Sequence, residues 1–257
     1  MTIAVFCKWC PDPADLEIRS DGSVSLERAK WTISAYDEVA LEVGRSLASA
    51  TTTVVALMAG PVQVDTSLAR KAILSRGPEA LFMIADDRLA DADARQTAAA
   101  LAAGVGRIGH VDLVLCGAGS ADLYAQQVGI LDGERLGWPT LNDVMSISLD
   151  AASCRIERRR ENGVDSLEAP LPVVLALTAD AALPRVPGMR EILSAGKKPT
   201  TVWSLDDLEP SATVGRSSLV LSTVARRGAD RQQVLLEGTP AEAANQLVGS
   251  LRREGVL

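Results

Sequence analysis

The chain contains one histidine, His110. A multi-histidine metal site is therefore excluded. A Ser-His or Cys-His nucleophilic pair has only that residue to draw on, and its place at the start of the strand-like stretch 109–115 reads as a structural or loop position. Aromatic residues make up 3% of the 257 positions, so Ala, Val, Leu and Ile must fill the core. Four cysteines do not make a disulfide framework. No apolar run approaches the roughly 18 residues of a membrane span, so no stable membrane insertion is expected. Basic residues number 26 against 33 acidic ones, a net charge of −7. A nucleic-acid binder needs the opposite balance, and no nucleic-acid partner is expected. The first residues lack the charged and apolar regions of a signal peptide, so the default expectation is a cytoplasmic protein. Hydrophobic residues at 47% and charged residues at 23% exclude global disorder.

Strand-length apolar runs lie at residues 3–7, 53–58, 80–85 and 111–116. Helical patterns separate them. In 37–50, Val39, Val43 and Leu47 share a face. In 62–76, Val64, Leu68 and Ala72 do the same, and Gly77-Pro78 ends the pattern. Residues 91–108 are rich in alanine, the best helix former. Alternating strand and helix predicts an α/β fold: a doubly wound, mostly parallel sheet with helices on both faces. After Pro139 the pattern becomes antiparallel. Residues 143–149, 153–160 and 164–168 read as short strands, with Asn162-Gly163 as a hairpin turn. Residues 172–177 return to a buried strand, and 179–199 read as an exposed loop with a short helix. From Thr200 onward no further strand–helix unit is expected. The division is a nucleotide-binding α/β domain at 1–199 and an arm at 200–257. The arm ends in a helix over 240–253, with Pro240 in its first turn and Ala244, Leu247, Val248 and Leu251 as an apolar stripe. That helix has little core of its own and must dock elsewhere.

Ligands of open α/β sheets bind beyond the carboxyl ends of the strands. Four segments occupy that edge: residues 8–13, Ala59-Gly60-Pro61, Asp86-Asp87, and Gly117-Ala118-Gly119-Ser120. The last, before a predicted helix from about Asp122, is the best phosphate candidate, because small residues and a helix N-terminus favour an anion. It has neither the P-loop lysine nor the dinucleotide glycine spacing. Cys7-x-x-Cys10 lacks a second pair and reads as strand packing. Asp91, Asp93, Asp206 and Asp207 read as helix N-terminal turns, and Arg158-Arg159-Arg160 as a solvated hairpin face or partner contact. No acid–base constellation is evident, so no enzymatic chemistry is expected.

The order of segments resembles the β subunit of electron-transfer flavoproteins, the FixA-like family. The opening Ile3-Ala4-Val5-Phe6-Cys7-Lys8 with Pro11-Asp12-Pro13 is similar to that family's "V-x-V-K-x-V-x-D-P". Ser34-Ala35-Tyr36-Asp37-Glu38 is similar to its "N-P-[FY]-D-E", and Ala59-Gly60-Pro61 to its "x-G-P". Gln127-Val128-Gly129 and Leu136-Gly137-Trp138-Pro139 match "Q-[TV]-G" and "L-x-W-P". The stretch 161–176 with Pro172-Val173-Val174, and the terminal Leu247 to Leu257 stretch, complete the series.

The resemblance implies an adenine-nucleotide-hydrolase-like domain whose C-terminal arm embraces an α subunit. It implies an electron carrier without substrate chemistry of its own. Such a carrier moves electrons from flavin dehydrogenases, acyl-CoA dehydrogenase-like, to a quinone oxidoreductase or other acceptor. FAD would lie mainly on the α subunit, near Pro13 and Tyr36 of this chain. AMP, or a second FAD in the bifurcating kind, would lie against Phe6, Ser34, Ala59, Gly117, Ser120, Gln126, Gln127, Val128 and Gly129. The chain departs from the family at several of these. Gln126 replaces an Asn, Val128 lacks the AMP-type hydroxyl, Ser34 replaces an Asn, and Phe6 stands where a small residue is usual. AMP, a second FAD and an empty site therefore all stay open. The segment around Met189 and Ile192 resembles the loop that recognises dehydrogenases. A stand-alone nucleotide-binding module of the universal-stress type is the alternative; an adenylating enzyme lacks its pyrophosphate loop here.

Overall fold

The computed structural model describes residues 1–150, 152–215, 218 and 233–257. The elements in chain order begin with β1 (Thr2–Phe6), β2 (Trp9–Pro11), β3 (Glu17–Ile18), β4 (Val24–Ser25), β5 (Trp31–Ile33), α1 (Ala35–Leu47), β6 (Thr53–Gly60), α2 (Ser67–Leu74), β7 (Ala80–Ala85) and α3 (Ala94–Ile108). They continue with β8 (Leu113–Gly117), α4 (Val128–Leu136), β9 (Thr140–Leu149), β10 (Ser153–Arg160), β11 (Gly163–Pro170), β12 (Val173–Leu177), α5 (Met189–Ala195), β13 (Thr200–Trp203) and α6 (Pro240–Arg253).

Nine strands form one sheet in the order β11-β10-β9-β12-β8-β1-β6-β7-β13. From β9 to β13 neighbours run parallel; β9, β10 and β11 pair antiparallel. The predicted α/β class is the observed one. Side chains of a strand alternate between faces, and β1 shows why two helical layers form. Ile3 and Val5 pack into a core with Ala40 and Leu41 of α1, Ile73 of α2 and Ala195 of α5. Ala4 and Phe6 pack into the opposite core with Ala100, Leu101 and Val105 of α3. Small residues let α3 approach the sheet closely: a Cβ on Gly104 would meet Ile84 and Leu57 at 3.0–3.1 Å.

Helix starts follow their caps. The Thr66 hydroxyl accepts from the Ala69 N–H, so residues 62–64 form a separate 3₁₀ turn and α2 begins later than the periodicity predicts. Asp93 forms a capping box with Gln96 ahead of α3. The acidic pair at 206–207 lies in a 3₁₀ turn in which Asp207 accepts from Ser204. Asp93 thus starts α3, and Asp206 and Asp207 lie in the first turn of their 3₁₀ helix, the N-terminal positions that their sequence context predicts. The Arg158–Arg160 run is not simply solvated: Arg159 pairs with Asp180, and Arg160 with Asp165 at 3.0 Å.

The boundary at residue 199 needs correction. Thr200–Trp203 pairs parallel with β7 as the last strand of the sheet. Trp203 stacks on Phe82 at 5.1 Å between centroids, and Arg107 lies over its ring at 5.4 Å. Leu205, Leu208 and Ala212 are buried in the α3-side core. A four-residue strand with two threonines gives too little periodicity to be told from loop. The sheet unit thus continues to at least Ala212. Part of the proposed arm, at 216–217 and 219–232, lies outside the described residues. No residue of α6 is buried.

Truncation tests this boundary. A chain ending at Pro199 loses Trp203, Leu205 and Leu208, each worth about 1.5–3 kcal/mol of burial. It should be destabilised by roughly 4 kcal/mol or more, whereas a chain ending at Gly215 should unfold within a few degrees of the full chain. Thermal unfolding followed by circular dichroism separates the two.

Candidate functional site

The carboxyl ends of β1, β8 and β12 and the N-termini of α1 and α4 converge on one edge. At its centre lies Asp37, 7% exposed, in the first turn of α1. Its Oδ2 accepts from the Lys8 N–H at 2.8 Å and its Oδ1 from the Gly117 N–H at 3.3 Å. Burial pushes the carboxyl up to about 7, against those two hydrogen bonds, which favour the anion. Gly117 is required by this approach: a Cβ there would stand 2.6 Å from Tyr36 Cβ and 2.9 Å from Asp37 Oδ1.

Ser34, fully buried, donates its N–H to the Lys8 carbonyl at 3.0 Å, and its Oγ accepts from Ala121 N–H at 3.2 Å. The Lys8 ammonium bonds both oxygens of Asp122, at 2.7 and 2.8 Å. Burial acts to raise the Asp122 carboxyl, but Lys8 and the Ser120 hydroxyl hold it below its ordinary range. The loop 117–126 is thus fastened to the end of β1 and the start of α1. Several of its donors are used internally. Gly117 N–H goes to Asp37, Ala118 N–H to the Leu177 carbonyl and Tyr124 N–H to the Ser120 carbonyl. Within the expected phosphate cradle at 117–120, the Gly117 and Ala118 N–H groups are therefore committed to the fold.

Donors remain at the start of α4. Gln127 is its N-cap without a side-chain cap bond, and the first intrahelical bond there runs from Leu131 N–H to the Gln127 carbonyl. The N–H groups of Val128, Gly129 and Ile130 thus point out of the helix end, where the dipole favours an anion. Gly129 lies close over Cys116: a Cβ would stand 2.7 Å from its Sγ. Phe6 is buried in the core cluster that also contains Cys116 and against which Val128 packs, so it supports this end of α4 from below. Ala59 sits near the end of β6 against the same cluster.

Beside the loop is a cleft of about 400 Å³ lined by Tyr36, Ala118, Tyr124, Asp143, Arg159 and Thr178, among others. The Tyr36 and Tyr124 rings lie 5.0 Å apart, inclined by 37°. Tyr124 holds φ at 47°, a left-handed conformation rare for a bulky residue. Its contact with Tyr36 was not legible in sequence, nor were the roles of Lys8, Asp37 and Asp122. Their one signal is the acidic position inside Ser34-Ala35-Tyr36-Asp37-Glu38. Asp132, fully buried on α4, has both oxygens without a hydrogen-bond partner among the described residues, and burial pushes its carboxyl well up.

Pro13 is exposed in a 3₁₀ turn after β2. Met189 and Ile192 are exposed on α5, away from the strand ends. Cys7 and Cys10 are buried in the fold, and burial raises both thiols, Cys10 to about 12. The described residues contain no group of three or more His, Cys, Asp or Glu that could hold a metal ion. No helix among them is long and apolar enough to cross a membrane.

Two outcomes test this geometry. The Asp37 carboxyl binds its proton more tightly folded than unfolded. Its contribution to stability is present at low pH and is lost as pH rises from about 4 through about 7. Relative to Asp37→Asn, the unmodified protein should therefore lose roughly 2–4 kcal/mol between about pH 5 and pH 8, at 1.36 kcal/mol per pKa unit. Urea unfolding at both pH values measures the difference. Second, Gly129→Ala should cost about 1–3 kcal/mol by overpacking. Adding Cys116→Ala should recover most of that; two additive losses would show that Cys116 is not the obstacle.

A family model described as the electron transfer flavoprotein domain matches residues 22–208. The match covers β4 through β13, and with them the Asp37 centre, the loop 117–126, α4 and α5. The match spans more than half of the chain and contains Ser34 and Asp37, and the chain belongs to the electron transfer flavoprotein family.

Proposed function

We propose that this chain is the β-type, FixA-like subunit of a heterodimeric electron-transfer flavoprotein. In that role it takes electrons from flavin dehydrogenases of the acyl-CoA type and passes them to a quinone oxidoreductase or other acceptor. The observation that carries the reading is α6. Leu247 and Val248 on its apolar stripe are 47% and 38% exposed, and none of its residues is buried. Such a stripe is stable in water only against a partner. An α subunit supplies that partner in this reading, and the stand-alone module leaves the stripe uncovered.

FAD, held mainly by the α subunit, supplies the one- and two-electron chemistry when bound. This chain's part is to shape one wall of its pocket. The Tyr36–Tyr124 cleft suits a planar ring, with aromatic faces and the Arg159 guanidinium at its rim. Pro13 lies on the exposed turn after β2.

In its own nucleotide site the chain holds AMP in this reading. The N–H groups at the start of α4 match a single phosphate, whereas the Gly117 and Ala118 N–H groups are already bonded to Asp37 and Leu177. Gln127 and Gly129 would flank the phosphate. Gln126 precedes them with φ at 57°, which turns the chain into the helix.

Co-expressed with an α-type subunit, the chain should purify as a yellow 1:1 heterodimer that releases one AMP on denaturation, identified by mass spectrometry. Two FAD per dimer would instead make it the bifurcating kind. Ending the chain at Gly215 should abolish the heterodimer on gel filtration; a stable dimer without the tail would refute the docking-arm reading. Gln127→Glu keeps the shape of the N-cap but adds a negative charge. Two unit charges about 4 Å apart repel by roughly 4 kcal/mol at an effective dielectric of about 20. Nucleotide affinity should therefore fall at least a hundredfold, with the melting temperature unchanged.

A further inference from the structure

α4 is nine residues long. A helix that short is marginal alone and keeps its shape through packing. Two glycines bring it directly onto the sheet. A Cβ on Gly129 would stand 2.7 Å from Cys116 Sγ, and one on Gly133 would overlap the Thr140 hydroxyl. Val128 and Leu136, one turn to either side of Asp132, pack against the α3-side core with Phe6, Leu101 and Val105. Asp132 thus stands in the middle of an apolar seam. It is fully buried, and neither carboxyl oxygen has a hydrogen-bond partner among the described residues.

A buried polar group without a partner is rare and calls for a reason. The elements around this one supply no close counter-charge. α4 packs against α3, β9 and β12. β12 carries no titratable residue. On β9, Asp143 lines the tyrosine cleft. On α3, Arg107 lies over the Trp203 ring and Arg95 stands in the first turn. The charge that acts on Asp132 is Arg135, three residues on in α4, and its pull is smaller than the cost of burial. From β8 the Cys116 thiol faces Asp132; burial first, then Asp37 and Asp132, keep that thiol uncharged. Burial therefore holds the Asp132 carboxyl well above the usual carboxylate range.

We propose that Asp132 makes α4 a proton-controlled element. While Asp132 carries its proton, α4 stays seated on β8 and β9. When the proton leaves, the carboxylate must reach water, and α4 lifts with it. An ionised carboxylate without a partner does not persist in an apolar seam. A carboxyl that binds its proton more tightly in the seated state favours that state at low pH. It loses that contribution as pH rises past the ordinary carboxylate range. The N–H groups of Val128, Gly129 and Ile130 lift with the helix start, so an anion held there is released as pH rises. That consequence rests on the AMP reading above; the seating of α4 does not.

The test uses the full-length chain, unmodified and carrying Asp132→Asn, which keeps the shape but never ionises, or Asp132→Ala, which removes both oxygens. Asp37 titrates in all three chains and cancels in the comparison. From about pH 6 to about pH 9, amide hydrogen exchange across residues 128–136 should quicken roughly tenfold or more in the unmodified chain relative to both variants. Cys116, beneath Gly129, should gain reactivity toward iodoacetamide by a similar factor, read by peptide mass spectrometry, while Cys154 on β10 should not. AMP affinity, measured by calorimetry, should fall roughly tenfold over the same range, again relative to the variants. Equal changes in all three chains would overturn the proton control. A gain at Cys154 as large as that at Cys116 would mean general unfolding, and would overturn it too. Opening of α4 without the loss of AMP affinity would overturn the release of an anion. Failure of every chain to bind AMP at either pH would overturn the AMP reading instead, and exchange and alkylation would still decide the seating of α4.

Discussion

A buried carboxylate with two backbone donors joins the segments from which the ligand edge is built. Asp37 belongs to α1, but its oxygens hold the N–H of Lys8, past the end of β1, and that of Gly117, at the end of β8. Without it two strand ends would carry unsatisfied donors where the sheet stops. The Lys8–Asp122 pair and the Ser34–Ala121 bond depend on the same register, because Lys8 and Ser34 are also bonded to each other. The site is therefore a local knot of short-range bonds, set where a parallel sheet leaves its carboxyl ends open.

The same helix runs from that knot to the Glu42–Arg185 ion pair. Asp37 and Glu42 are five residues apart on α1, roughly 7.5 Å at 1.5 Å per residue. One end of α1 fixes the loop beside the tyrosine cleft, and a position one to two turns on anchors Arg185. Gly44, farther along, has only 3.0 Å of room to Val5, so α1 cannot shift toward the sheet. The ligand edge and the exposed apolar segment are thus mounted on one rigid element.

Much of this was legible in the chain. The strands expected at 53–58, 80–85 and 153–160 and the helix at 240–253 followed from apolar runs, turn residues and Pro240, and the first of them runs on to Gly60. The class of sheet followed from their alternation. The site was legible by location more than by role. Gly117, Ser34 and Gln127 stand at the predicted edge, but hydrogen bonds invisible in sequence occupy the Gly117 and Ala118 amides, while the first amides of α4 stay outside its intrahelical ladder. Lys8 and Asp122 are separated by 114 positions, and no local pattern pairs them. β13 was missed because four residues with alternating threonine do not separate an edge strand from a linker.

Among the described residues the sheet is open, with β11 and β13 as its outer strands, and each is made unattractive to another strand. β13 offers only four residues, and the chain leaves it at once for the α3 face. The other edge, β11, carries Asp165 and Glu168. Short length and inserted charge are ordinary defences against strand addition. The chain should therefore not polymerise through its backbone. Its self-association would be reversible, salt-tolerant and led by the apolar side chains of α5 and α6.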